Sequence, residues 1–198
     1  MSIVKLNNRA VSNATTFGSI SSLGEMVFIS KATASASASI EFSLGNYKEY
    51  QFYLVNCHPS TDAKLGVNFS TDNGSNYNVT KTTTLFIAQH DEANTYAEMA
   101  YAANDDLAQS TADQPLTPGS TGSGNDECIC SVFQLFNPSS SVFVKHFIGT
   151  SNNLPSYSAS NNQFVAGYGN TVSPITNIRF KFSTGNIDSG EILLFGIN

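Results

Sequence analysis

Three sets of side chains in this 198-residue chain are of types that could do chemistry. His90-Asp91-Glu92 sets an imidazole beside two carboxylates, the groups that hold a divalent metal or relay a proton. Asp105-Asp106 offers the hard oxygen ligands that suit calcium. Cys57, Cys128 and Cys130 are the thiols, and His58 and His146 complete the histidines. Spacing argues against each as a working site. Neighbours on an extended chain point to opposite faces, so His90, Asp91 and Glu92 do not converge on one ion. No alternating acidic run ending in glycine surrounds Asp105 and Asp106, as a calcium loop requires. Cys128 and Cys130, two apart on an expected strand, share a face at about 7 Å along the chain, a poor distance for a disulfide. A zinc site would need a second ligand pair. The three thiols are therefore expected to be buried as small hydrophobes.

The remaining candidates read the same way. His58 precedes Pro59, which pushes it toward extended geometry and makes it a chain-direction device. His146 falls on the apolar side of the run Val142, Val144, His146, Ile148 and is expected in a core or an interface. No G-x-S-x-G elbow is present, and no carboxylate pair marks a glycosidase. Asn-x-Ser/Thr triplets at Asn13, Asn68, Asn73 and Asn78 are chance matches in a chain rich in Ser, Thr and Asn. Asp72-Asn73-Gly74 is a deamidation point. No catalytic, cofactor-binding or metal-binding residue is assigned, and the expectation is a protein that is not an enzyme.

The elements that would position these residues are strands. From Ala34 to Leu44 the even positions are Ala34, Ala36, Ala38, Ile40, Phe42 and Leu44, with Ser or Glu between them. This period of two is that of a half-buried strand. The alternation returns at Leu65–Phe69, Val142–Ile148 and Ile178–Phe182. Shorter runs at Met26–Ser30, Tyr50–Asn56, Thr83–Ala88, Ala97–Tyr101, Cys128–Phe136, Gln163–Tyr168 and Glu191–Ile197 bring the count to about eleven. Asn73-Gly74 carries a hairpin signal, because both positions tolerate positive φ. Asn137-Pro138-Ser139-Ser140 and Ser183-Thr184-Gly185-Asn186 mark further turns. The pattern predicts an all-β fold, an antiparallel β-sandwich of jelly-roll-like form, with very little helix. Residues 25–198 are expected to be one domain, with residues 102–126 a long surface loop and residues 1–24 an arm or edge strand. The expected core is Ile40, Phe42, Phe52, Leu54, Leu65, Val67, Phe69, Val142, Val144, Phe180, Phe182, Ile192 and Leu194.

Composition narrows the partners. Charged residues are only 12% of the chain, and the net charge is -6. Nine basic residues in no cluster cannot neutralise a run of phosphates, so nucleic acid is not an expected partner. No stretch approaches the ~20 apolar residues of a membrane span. The opening MSIVKLNNRAV lacks a basic region leading into an apolar core, and export by that route is not expected. Low charge also suits surfaces buried in an assembly, where an unpaired ion would be costly to desolvate.

Several strings together carry a resemblance: MSIVKLNNRAV, TTFGSISSLGEMVFISK, YKEYQFYLVNCHPSTD, VNFSTDNGSNYNVTKTTT, DDLAQST, FQLFNPSSSVFVKHFI and FVAGYGNTVSPITNIRFKFSTGNIDSGEILLFGI. They span nearly the whole chain, which resembles a family of structural or tail-fibre-like proteins of marine tailed phages. Cys57 and the Cys128/Cys130 pair depart from that pattern. The resemblance implies a virion protein assembled in the bacterial host cytoplasm, with no catalytic residues carried over. It implies self-association as a homotrimer, and contact with a tail adaptor or with the major capsid protein. A tail appendage would meet the host surface, including its glycan. The alternatives are a protein that cements or decorates the capsid, a carbohydrate-binding module and a glycan depolymerase.

Overall fold

The computed structural model describes residues 26–198, and the expected arm at 1–24 lies outside them. Among the described residues the chain forms twelve strands and no helix. These are β1 (Met26–Thr33), β2 (Ile40–Ser43), β3 (Glu49–Pro59), β4 (Leu65–Ser70), β5 (Lys81–Asp91) and β6 (Ala97–Tyr101). There follow β7 (Gln114–Pro115), β8 (Ile129–Phe136), β9 (Lys145–Asn153), β10 (Ala159–Gly169), β11 (Asn177–Phe182) and β12 (Ile187–Ile197). Two antiparallel sheets result: eight strands in the order β1-β12-β3-β8-β9-β10-β5-β6, and four in the order β2-β11-β4-β7. Their facing sides enclose the apolar core, as the alternation predicts for a β-sandwich.

Aromatic rings fill the centre of that core. Phe52 meets Phe180 at 5.3 Å between centroids, and Phe69 meets Phe147 at 5.3 Å, with Phe133 among them. Eleven of the thirteen expected core residues are buried; Val142 and Val144 are not. The inward phase of β9 is odd, through Lys145, Phe147, Gly149, Ser151 and Asn153, so His146 and Ile148 face outward. The apolar series from Val142 to Ile148 is thus displaced by one residue, which exchanges faces in a strand. Val142 precedes β9 and is 68% exposed. His146 lies on the outer surface with its ring 6.0 Å from that of Tyr168.

Three further expectations are corrected. Only Ile40–Ser43 of the Ala34–Leu44 run pairs as a strand, because Ala36 takes a φ of 48° and breaks the extension. Asn73 and Gly74 do adopt positive φ, 59° and 83°, and Ser75 N–H bonds Asp72 C=O at 3.3 Å. The flanking β4 and β5 lie in different sheets, however, so this tight turn closes no hairpin. The third is the segment 102–126, which is not simply a surface loop. It contains β7, the strand beyond the expected eleven, and buries Gln114, Leu116, Thr117 and Thr121 completely. The eight-stranded sheet is broader than its partner, and its surplus inner face needs a cover. Leu116 N–H reaches Leu65 C=O at 2.7 Å, and Thr121 N–H reaches Ala63 C=O at 2.9 Å. Beneath lie Ser131, Ser151, Asn153, Asn161 and Gln163, a polar half of the interior.

Candidate functional site

Two bulges shape one end of the neighbouring strands β3 and β12, inside the larger sheet. The register of β3 against β8 slips between Leu54 and Cys57, where Asn56 has a φ of 50°. Opposite, β12 slips against β3 on both sides of Ser189, and Gly190 has a φ of 114°. Bulges re-aim side chains. Here they turn Asn56 outward, toward the thiols of Cys128 and Cys130. The Cys130 thiol donates to Asn56 Oδ1 at 3.4 Å, that of Cys128 at 3.8 Å, and Asn56 N–H bonds Cys130 Sγ at 3.3 Å. Cys130 is exposed and Cys128 half-buried, so of the three thiols only Cys57 is the buried hydrophobe expected. Loss of hydration pushes the Cys57 thiol up to about 12.

The bulges border a polar cleft of about 450 Å³, lined by Asn56, His58, Asn125, Asp126, Glu127, Cys128, Asp188 and Ser189. His58 lies between two acceptors. Its Nε2 stands 3.0 Å from Gly124 C=O, and its Nδ1 stands 3.7 Å from Asp188 Oδ2. The Cys128 thiol bonds Asn56 Oδ1 rather than His58, so thiol, imidazole and carboxylate do not form a nucleophile relay. Glu127 accepts the N–H of Gly124, and Asp62 Oδ1 accepts Ser123 N–H at 2.9 Å and Ser123 Oγ–H at 2.7 Å. These hydroxyl and amide donors hold the Asp62 carboxyl below its ordinary range. The carboxylates thus brace the loop 122–127.

The other expected candidates lie apart from this cleft and are also engaged. Asp91 ends β5 and caps the turn into β6, accepting Thr95 N–H at 2.8 Å, Tyr96 N–H at 2.9 Å and the Thr95 hydroxyl. These donors lower its pKa. His90 Nε2 contacts Asn94 Oδ1 at 3.1 Å. Asp105 pairs with Lys64, and Asp106 Oδ2 accepts the Tyr101 hydroxyl at 2.5 Å. Among the described residues no three His, Cys, Asp or Glu side chains stand where they could hold one metal ion.

A different surface stands out on the outside of the eight-stranded sheet. One register row crosses every strand: Lys31, Leu193, Tyr53, Val132, Thr150, Phe164, Phe86 and Tyr101. Phe86 and Phe164 stack at 4.9 Å and 15°, yet are 41% and 37% exposed. Ile148, Met99 and Tyr101 are exposed around them. Over β8, β9, β10, β5 and β6 no outward position is Asp, Glu, Lys or Arg. Sequence reasoning missed this face because the phase of β9 was misread. The uncharged outward positions of β8 and β10 were the signal that could have found it.

Comparison with protein-family models, with curated proteins and with solved structures finds no match.

Proposed function

We propose that this chain is a non-enzymatic structural subunit of a tailed-phage particle, a tail-fibre or tail-appendage protein that works by self-association and contact. The observation that carries the reading is the uncharged stretch of the larger sheet's outer face from β8 to β6, a surface suited to burial against protein. The engaged state of His58, Asp91, Asp105 and Asp106 supports a binding role over a catalytic one. Strand order supports the jelly-roll form. Without β5, β6, β9 and β10, the sheets run β1-β12-β3-β8 and β2-β11-β4-β7, the order of two interleaved Greek keys. Jelly rolls serve capsids and lectins alike, so fold alone does not choose between them.

The edge strand β1 favours a closed oligomer, such as the trimer. Met26, Val27, Phe28 and Ile29 are all exposed there, and an apolar edge that no other described residue covers invites pairing. Imaging intact particles with an antibody against this chain tests the assignment. Label on the tail supports the appendage reading, and label over the head supports the second reading, a capsid decoration protein. Unlabelled particles, together with glycan binding or glycan cleavage by the purified chain, would replace both.

A further inference from the structure

We infer that the outer face of the eight-stranded sheet is the contact between two copies of this chain, packed sheet against sheet about a twofold axis. Charge selects the occupant. The protein carries -6 overall, so two copies repel over most of their surfaces. The stretch from β8 to β6 has no ionised carboxylate, lysine or arginine facing out, and two identical copies meet there without a like-charge clash or a buried ion. Such an interface is isologous, each copy using the same patch.

The pattern on the face is self-complementary. Along the row Tyr53, Val132, Thr150, Phe164, Phe86, Tyr101 every position but Thr150 is aromatic or aliphatic, so a twofold sets apolar against apolar. Size sets the strength of the contact. Four spacings of about 4.8 Å from β8 to β6, by about 25 Å of strand, give on the order of 500 Å² per copy, the size of a weak, concentration-dependent interface. The inference deepens the structural reading, but it is tested on the purified chain, whereas membership of a particle is tested on virions. Either can therefore fail alone.

The experiment is sedimentation velocity on the full chain from about 1 to 100 μM, beside Ile148→Asp and Phe164→Asp. Both side chains point outward and are partly exposed, so the fold should survive, checked by circular dichroism and melting temperature. The wild type is expected to reach twice the 21.2 kDa chain mass, or a multiple of that pair. Both variants are expected to lose this twofold step at the same concentrations. A wild type that stays monomeric at 100 μM, or that stops at three times the chain mass, overturns the inference, as do folded variants that associate unchanged. Should either variant unfold, peroxide oxidation of wild-type Met99, 77% exposed in the single chain, decides the matter. It slows several-fold on concentration if the face is covered, and an unchanged rate rejects the contact.

Discussion

Lys81 and Lys145 both point into the protein, each opposite Gly169 on β10. Lys81 Nζ donates to Asn68 Oδ1 at 2.6 Å and to Val79 C=O at 2.8 Å, and Lys145 Nζ to Phe143 C=O at 2.6 Å. These carbonyls hold the ammonium groups without a directly bonded carboxylate. Loss of hydration brings Lys81 down to about 8 from the ordinary 10.5. Below pH 8 the amine is charged in both folded and unfolded chains, and the fold bears the full penalty. Between pH 8 and 10.5 the unfolded chain binds more protons, so stability rises with pH, by at most about 3 kcal/mol from this group. Cys57 opposes it above pH 9, since a thiol raised to about 12 keeps its proton longer in the fold. Denaturant titrations of wild type and Lys81→Met from pH 7 to 10 isolate the lysine. The wild type should gain on the variant as pH rises, and parallel curves would show Lys81 unshifted. Phe180 is the other informative residue, fully buried with its ring 5.3 Å from Phe52 and 6.1 Å from Phe133. Phe180→Ala should cost roughly 3–5 kcal/mol through lost transfer energy and a cavity, read as a lower denaturation midpoint.

Bulges define the element scale. A Cβ at Gly190 would lie 2.5 Å from Asn56 C=O and 2.7 Å from Cys57 Cα, and the φ of 114° is strained for any other residue. Gly190→Ala should destabilise by at least about 1–3 kcal/mol and loosen the cleft. Denaturation checks the first effect, and faster alkylation of Cys128 and Cys130 checks the second. An unchanged variant would mean β12 slides to absorb the methyl. This cleft was not legible in the sequence, since nothing in Asn56-Cys57-His58 or Ser189-Gly190 announces that two bulges face each other. The strands were legible, because Phe42, Phe52, Val67 and Phe180 repeat at period two against polar neighbours. What failed did so for physical reasons. Lys145 in an inward position contradicts the usual exposure of lysine, so Val142 and Val144 drew the phase of β9 to the wrong side. The cover formed by residues 114–122 escaped notice because its buried members include Gln114, Thr117 and Thr121. Polar types bury there against the polar inner face of β8, β9 and β10, and hydrophobicity carries no signal for such a match.

At the scale of the whole molecule the ionised groups and the uncharged face are separated, and that separation sets how association answers to salt. Fifteen acidic and nine basic residues leave a net -6, and Lys31, Glu49, Asp188 and Glu191 put charge on the outer face over β1, β12 and β3. Lys31 and Glu191 pair at 2.5 Å, and Glu49 Oε1 accepts Gln51 Nε2 at 2.9 Å and Gln134 Nε2 at 3.1 Å. Two copies meeting through the rest of the face feel only the distant repulsion of their other surfaces. Salt screens that repulsion over about 10 Å at 0.1 M, while apolar burial is little affected. Raising sodium chloride from 20 to 300 mM should therefore tighten the association of wild type, read as a lower dissociation constant in sedimentation equilibrium. An interface held by ion pairs between copies would do the reverse. Weakening with salt would thus place the contact on a charged surface and remove the sheet face from the assembly.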